Sequence, residues 1–233
     1  MIRDPKDLQR YTAPERANHW VVGISFILLA LSGLAFFHPA FYPLTQLFGG
    51  PVWARITHPF LGVLMAFSFL ALFIRFKHLN KMTPADREWL SRAREMVDGD
   101  DHGMPEQGKY NGGQKALFWA LAVCMLLMTV SGLFMWRTYF AFDIPAVRLG
   151  AVVHAAVGVV MIALIMVHVY AAIWVKGTIR AMWYGTVTRA WARQHHRAWS
   201  RQVTGKYCMD VTPAQAGVQR CTSGFRVKPG MTV

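Results

Sequence analysis

The chain has 233 residues, of which 54% are hydrophobic and only 16% are charged. With a mean hydropathy of +0.27, it is too apolar for an ordinary soluble domain of this length. Lys and Arg number 25 against 12 Asp and Glu, which gives a formal net charge of +13. Nucleic-acid-binding proteins carry charges of this size, so the distribution of the charge along the chain decides what it means.

Four apolar segments are long enough to cross a hydrocarbon core of about 30 Å, which takes about 20 helical residues. They run at about 18–37, 54–76, 115–136 and 150–175. Because a backbone in lipid must satisfy its own hydrogen bonds, all four are predicted to be helices. The first has no small-residue cleavage site after it, so we interpret it as a retained helix and not as a signal peptide. The predicted fold is an all-α membrane protein, a bundle of four transmembrane helices.

The basic residues cluster in the segments that leave one side of this bundle. Residues 1–16 hold four Lys and Arg, residues 75–115 hold eight, and residues 176–233 hold ten. Since an excess of Lys and Arg marks cytoplasmic loops, both termini and the 77–113 loop are predicted to face the cytoplasm. The charge is therefore a signal of topology, and no nucleic-acid partner is predicted.

Residues 1–203 are predicted to form one membrane domain. After the fourth span, a basic stretch with Trp183, Trp191 and Trp199 predicts a helix along the cytoplasmic membrane surface to about residue 201. Residues 204–233 lack apolar periodicity and contain many helix breakers, which predicts a disordered tail. The three cysteines include no C-x-x-C spacing and give no support to an iron–sulfur, zinc or covalently attached haem site.

Four of the nine histidines lie inside the predicted spans, where ionisable side chains are costly and are functional candidates by default. His19 begins the first span near the cytoplasmic face, and His58 begins the second span near the external face. On the fourth span His154 is external, and His168 lies about 21 Å further along the axis on nearly the same side of the helix. Depth therefore pairs His58 with His154 and His19 with His168. The other five are expected to be solvated or interfacial: His38, His78, His102, His195 and His196.

A residue with little or no side chain stands one helical turn after each histidine of the spans, on the same face. The pairs are His19/Gly23, His58/Gly62, His154/Gly158 and His168/Ala172. A porphyrin lying against a helix needs such a gap beside its axial ligand. Close packing between helices is the alternative explanation for small residues. The pattern favours two stacked haems b, each held by two histidines, and iron held in this way transfers electrons instead of binding oxygen.

Other chemistries fit the four histidines less well. A zinc or copper site needs three or four ligands that converge on one point, whereas these histidines pair at two depths. A proton pump needs carboxylates within the membrane, yet the interiors of the four predicted spans contain no Asp or Glu. The pattern therefore favours an electron path that crosses the membrane in two steps.

Five motifs occur in order over about residues 8–201: RANHW, RITHPFLG, GKYNGGQK, HAAVG and HVYAAIWVKG. Together they resemble the cytochrome b (gamma) subunit of respiratory formate dehydrogenases. The resemblance implies a four-helix dihaem cytochrome in the lipid of the bacterial cytoplasmic (inner) membrane. It implies electrons taken from an iron–sulfur subunit outside, and through it from the catalytic formate dehydrogenase subunit. It assigns His58 and His154 to the outer haem, and His19 and His168 to the inner haem.

The same resemblance implies that quinone, the electron acceptor, binds beside the inner haem at Asn111 and Gly113. From the residues alone, GKYNGGQK begins a helix on the cytoplasmic side, where free N–H groups and a polar Asn can hold a quinone carbonyl. An ordinary Asn-Gly-Gly turn at a helix start explains the motif equally well.

Two functions remain open. The first is a membrane-anchor and electron-transfer subunit of formate dehydrogenase that is not itself catalytic toward formate. The alternative is a dihaem cytochrome b subunit of a hydrogenase or of another quinone-linked oxidoreductase. The motif set favours the first function.

Overall fold

The computed structural model describes residues 7–97 and 103–209 of the chain. Its helices are α1 (Ala13–Phe37), α2 (Pro51–Phe76), α3 (Pro84–Ser91), α4 (Ala93–Val97), α5 (Gly112–Met135), α6 (Ile144–Trp174), α7 (Thr178–Tyr184), α8 (Arg189–His195) and α9 (Arg197–Met209). Short 3-10 helices at Pro39–Phe48 and Lys77–Asn80 follow α1 and α2. Two short strands, β1 (Leu8–Gln9) and β2 (Thr186–Val187), pair antiparallel.

Four of these helices, α1, α2, α5 and α6, are long and apolar enough to cross a membrane. The predicted all-α fold with four spans is therefore confirmed. Each of the four begins earlier than the apolar runs indicate, by six residues in the case of α6. The reason is visible at α6, where the first turn carries a proline and Arg148, so the helix starts before its uniformly apolar part.

The four spans form two hairpins, since α1 packs along α2 and α5 packs along α6. The hairpins meet in an apolar cluster at mid-bundle whose buried members are Met65, Cys124, Met125 and Met161. Methionine side chains are flexible enough to fill an irregular space between helices. Because α1 and α6 otherwise touch at few positions, this cluster is an important contact between the two hairpins.

A group of small elements covers the end of the bundle where α1 begins and α6 ends; we call residues 7–11 and 178–205 the cap. Its apolar core includes Leu8, Val187, Trp191 and Trp199, which brings residues from both ends of the described chain together. The single surface helix predicted to about residue 201 is divided into α7, α8 and α9. The division after α7 follows from Gly185, whose φ of 80° ends that helix.

His196 joins the cap to the loop that precedes α5, and its predicted solvated or interfacial position is wrong, because only 1% of the residue is exposed. Its Nδ1–H donates to the Gly108 carbonyl at 2.7 Å, and Arg10 donates to Nε2 at 3.2 Å. Burial, together with the charge of Arg10, lowers the pKa of His196 to about 3, so the ring is neutral at neutral pH.

The predicted tail at residues 204–233 lies mostly outside the described residues. Helix α9 extends about eight residues past its predicted end, to Met209. Residues 210–233 lie outside the described part of the chain, and their disorder stays a prediction.

Helix α3 is attached to the start of α5 by a buried ion pair. Lys115 Nζ donates to Asp86 Oδ2 at 2.6 Å, and the side chains are 10% and 3% exposed. The same oxygen accepts from the amide and the hydroxyl of Thr83, each at 2.7 Å. Burial alone would raise the pKa of Asp86, but the hydrogen bonds from Lys115 and Thr83 outweigh burial and lower it.

We expect Asp86→Ala to lower the free energy of unfolding by about 3–5 kcal/mol, because it leaves the Lys115 ammonium buried without its partner. Adding Lys115→Met should recover much of that loss. Thermal unfolding in detergent measures both effects, and Glu95→Gln, at a more exposed ion pair, is the control with a change below about 1 kcal/mol.

The pH dependence of the same pair has a definite sign. Since the pKa of Asp86 is lowered in the folded chain, the contribution of the pair to the free energy of unfolding is complete above about pH 4. It is lost as the pH falls through the pKa that Asp86 has in the folded chain.

The substitutions test the ion pair itself. A double variant with Asp86→Ala and Lys115→Met that is no more stable than Asp86→Ala alone would contradict this account.

Candidate functional site

The four histidines of the spans come together as two pairs. At the cap end, His19 on α1 faces His168 on α6, with ring centroids 6.2 Å apart and ring planes at 48°. At the opposite end, His58 on α2 faces His154 on α6, again with ring centroids 6.2 Å apart and planes at 64°. These are the partners that depth predicts from the sequence, and α6 supplies one histidine to each pair.

The distance between the paired rings suits a metal bound by both. A metal held by a ring nitrogen at about 2.0 Å on each side sets the ring centres roughly 6 Å apart. The rings of each pair are too far apart for a direct hydrogen bond between them. Within residues 7–97 and 103–209, no three His, Cys, Asp or Glu side chains gather where they could hold a metal ion. Each site therefore offers two histidines as ligands and no third side chain of these types.

An unsatisfied polar atom also marks the pair at the cap end. The Nδ1 atom of His19 is buried and has no hydrogen-bond partner in the described part of the chain. A buried polar atom without a partner is costly and calls for an explanation. The described residues offer no partner for it, so His19 lacks the hydrogen bond that would fix its tautomer.

The glycines that follow the histidines are not needed for contact between helices. A Cβ built on Gly23 or on Gly62 meets no other atom of the protein within 4 Å, and one on Gly158 makes only an ordinary contact at 3.8 Å with Met128. By contrast, a Cβ on Gly150 would lie 2.8 Å from the Cβ of Phe134 on the neighbouring helix. Gly23 and Gly62 therefore differ from a true helix-packing glycine, and the space beside them suits a flat cofactor.

The fourth small residue, Ala172, follows His168 on α6 and is half-buried. With Gly23, Gly62 and Gly158 it completes the set that the sequence predicts for haem packing.

Two serines, which the sequence analysis does not single out, touch the pair of histidines far from the cap. Ser32 Oγ lies 2.7 Å from His58 Nδ1, and Ser131 Oγ lies 3.0 Å from His154 Nδ1. Both serines are followed by Gly and Leu near the end of the first helix of a hairpin, in LSGL and VSGL. That repeated S-G-L triplet is the sequence signal that could have identified them.

The residues predicted for quinone binding begin α5. Asn111 is the N-cap: its Oδ1 accepts from the amide of Gln114 at 2.9 Å, and Gln114 Oε1 accepts from the amide of Asn111 at 3.1 Å. A Cβ on Gly113 would lie 2.9 Å from the ring of Trp89, so this glycine allows α3 to pack closely. Both residues thus have structural roles, and the Nδ2 group of Asn111 is not used in the cap.

The comparisons with known proteins agree with this arrangement. The family described as prokaryotic cytochrome b561 matches residues 10–185, which include all four paired histidines. The chain belongs to the prokaryotic cytochrome b561 family. This family implies haem b as the cofactor.

Individual relatives carry a more specific description. The chain is 48% identical over 175 residues, 74% of this chain and 82% of the relative, to the cytochrome b556(fdo) subunit of formate dehydrogenase from Escherichia coli strain K12. It is 42% identical over 170 residues, 72% of this chain and 78% of the relative, to the cytochrome b556(Fdn) subunit of the nitrate-inducible formate dehydrogenase of the same strain. A formate dehydrogenase cytochrome b556 subunit of Haemophilus influenzae is 40% identical over 175 residues, 74% of each chain. The resemblance to formate dehydrogenase cytochrome b subunits is confirmed, and the chain is a membrane cytochrome b electron-transfer subunit.

We expect Gly62→Leu to reduce haem content while leaving the fold intact, because a Cβ at this position meets no other atom of the protein within 4 Å. The matched control is Gly150→Ala, which should instead destabilise the α5–α6 hairpin by about 1–3 kcal/mol, since its Cβ meets Phe134. The haem absorbance per protein and the unfolding temperature of the haem-free protein measure the two effects. Equal haem content in Gly62→Leu and the wild type would show that this space does not hold the cofactor.

Proposed function

We propose that this chain is the membrane-anchor and electron-transfer subunit of a formate dehydrogenase. In this proposal it carries electrons from an iron–sulfur subunit outside the membrane through two b haems to quinone on the cytoplasmic side. The chain itself is not catalytic toward formate. The observation that supports the proposal most strongly is the presence of two histidine pairs with the same 6.2 Å spacing at opposite ends of one bundle.

The proposed ligands are His58 and His154 for the outer haem, and His19 and His168 for the inner haem. A haem b bound by two histidines supplies a one-electron couple with no open position at the iron. The helices hold the imidazoles at a fixed spacing, and Gly23, Gly62, Gly158 and Ala172 leave room beside them. The Met-rich cluster at mid-bundle lies between the two levels and keeps water away from the path.

The proposed quinone site is at Asn111 and Gly113. Because Asn111 Oδ1 is already used as the helix cap, the group left for a quinone carbonyl is the Nδ2 amide, which donates. The free N–H groups at the start of α5 lie next to it and favour a partial negative charge on the bound oxygen.

The proposed orientation places the cap, both termini and the start of α5 in the cytoplasm. Lys and Arg are concentrated in those segments, which favours that side of the bacterial inner membrane. The pair His58–His154 then faces the external iron–sulfur subunit. The alternative function, service to a hydrogenase or another quinone-linked oxidoreductase, uses the same two haem sites with a different partner. The three relatives described above are all formate dehydrogenase subunits, which supports formate dehydrogenase as the partner.

We expect the wild-type protein to contain two low-spin b haems per chain. His154→Ala should remove the outer haem and His168→Ala the inner one, with the other site at least partly retained, because each substitution removes one of the two histidines that would hold that haem. Pyridine haemochrome quantification measures the haem number. One haem or none in the intact wild-type protein would refute the dihaem assignment, and His38→Ala, outside both pairs, is the control with no loss.

The acceptor site is tested in the complex that co-purifies with this chain. Asn111→Asp keeps a side-chain oxygen for the helix cap but removes the Nδ2 donor. We expect formate to reduce both haems at the wild-type rate in this variant, whereas reoxidation by added quinone should be slower by about tenfold or more.

Gln114→Ala, which removes the other half of the capping box, is the matched control and should not slow reoxidation by quinone. Normal reoxidation in Asn111→Asp would exclude the amide as the quinone donor. Reduction of the co-purified complex by hydrogen and not by formate would favour the alternative function.

A further inference from the structure

The two histidines far from the cap have a hydrogen-bond arrangement that is repeated between the hairpins. Ser32 on α1 contacts His58 on α2, and Ser131 on α5 contacts His154 on α6. In each hairpin, therefore, the first helix provides a serine to the histidine of the second helix. Both serines are buried, at 0% and 3% exposure, so water does not compete for these contacts.

The direction of the hydrogen bonds follows from the number of hydrogens available. The Ser32 hydroxyl lies 2.8 Å from the Leu28 carbonyl, which can only accept, so the single hydroxyl hydrogen is used there. The contact of 2.7 Å between Ser32 Oγ and His58 Nδ1 then needs a hydrogen on Nδ1. The lone pair of the ring is thereby left on Nε2, the atom free to bind a metal.

The same reasoning applies in the second hairpin. The Ser131 hydroxyl donates to the Leu127 carbonyl at 2.6 Å and therefore accepts from His154 Nδ1 at 3.0 Å. Among the hydrogen bonds of the described chain, each of these two rings thus donates from Nδ1 to its serine alone, and the contact of His154 with Ser131 is the longer of the two.

The pair at the cap end lacks this support. His19 Nδ1 is buried without a hydrogen-bond partner in the described residues, and among those residues no serine hydrogen-bonds to His19 or His168. An imidazole that donates from Nδ1 becomes a more basic ligand, which stabilises ferric over ferrous iron. The two haem sites therefore differ in a property that sets redox potential.

We propose that Ser32 and Ser131 are positioning residues that hold His58 and His154 as Nδ1–H tautomers and lower the midpoint potential of the outer haem. The proposal rests on the bis-histidine ligation proposed above. Its consequence is that the inner haem is the easier of the two to reduce, so that electrons move from the external side toward the cytoplasmic side.

A purely structural role for the serines is the main competing explanation. Serine and threonine hydroxyls inside a helix often bond to the carbonyl one turn back without any further function. Thr129 does this on α5, where its hydroxyl donates to the Met125 carbonyl at 2.8 Å, and it makes no hydrogen bond to a histidine among the described residues. Thr129→Ala is therefore the control that removes a helix hydroxyl two residues from Ser131.

The experiment is a potentiometric titration of the purified chain with bound haem. It is followed by visible absorption and by electron paramagnetic resonance of the ferric low-spin haems. His154→Ala, which lacks the outer haem, identifies the signal that remains as the inner haem. We expect Ser32→Ala to reduce the preference of the outer site for ferric over ferrous haem about tenfold, which for one electron raises its potential by about 59 mV. Ser131→Ala should produce a smaller rise, because its contact with His154 is longer than that of Ser32 with His58, and Thr129→Ala should produce none.

The inner haem should keep its potential in all three variants. Ser32→Thr retains the hydroxyl and should restore most of the wild-type potential. If Ser32→Ala loses the outer haem altogether, Ser32→Thr decides the question. Recovery of the haem and of its potential in Ser32→Thr supports the proposal, and lack of recovery overturns it. An outer haem whose potential is unchanged in Ser32→Ala also overturns it. Fewer than two haems in the wild type would instead refute the ligation itself, so the two failures are distinguishable.

Discussion

The arrangement of this bundle depends on holding two imidazole rings, from different helices, 6.2 Å apart at each of two depths. In lipid there is no hydrophobic driving force between helices, so the hairpins need specific contacts to stay in register. Direct contact between α1 and α6 is sparse, and the Met-rich cluster at mid-bundle joins the hairpins by apolar contact. A metal bound by both rings of a pair would add a cross-link between the hairpins at each end of that cluster.

Helix α6 sets the geometry of both pairs. It extends over 31 residues, from Ile144 to Trp174, and carries His154 and His168 fourteen residues apart. Four turns at about 3.6 residues per turn nearly equal that spacing, so one straight helix presents both rings to the same side. The partners come from α1 and α2, whose opposite directions place His19 at one end and His58 at the other.

Much of this could be predicted from the sequence, because the membrane reduces the possible structures to helices of a known length. The spans, their order and the partners within each histidine pair follow from hydropathy, charge and a constant rise per residue. Ser32 and Ser131 could not be recognised in the same way. A serine in a span usually bonds to its own helix, and only the neighbouring helix reveals that the oxygen also accepts from an imidazole.

The cap is hard to predict for another reason. Leu8 pairs with Val187, and Arg10 meets His196, across sequence separations that no local pattern encodes. His196 follows another histidine in a basic stretch that looks solvent-exposed, yet it is buried among Trp191, Arg10 and the Gly108 carbonyl. At Asn111 the local pattern is recognisable, but it fits a helix start and a ligand site equally well. The structure shows that Asn111 caps α5.

The difference between the two histidine pairs gains significance from the electric field of the membrane. An electron that crosses from the external to the cytoplasmic side of an energised membrane moves against the field, at a cost of about 2.3 kcal/mol per 100 mV. The interiors of the spans offer no carboxylate relay that could carry a proton in its place. In the proposed arrangement, the serines beside His58 and His154, and an Nδ1 on His19 that has no partner among the described residues, would make the inner haem the easier to reduce. That difference in potential would offset part of the cost of moving the electron against the field. The hairpin repeat that positions the outer ligands would thus also favour inward electron movement.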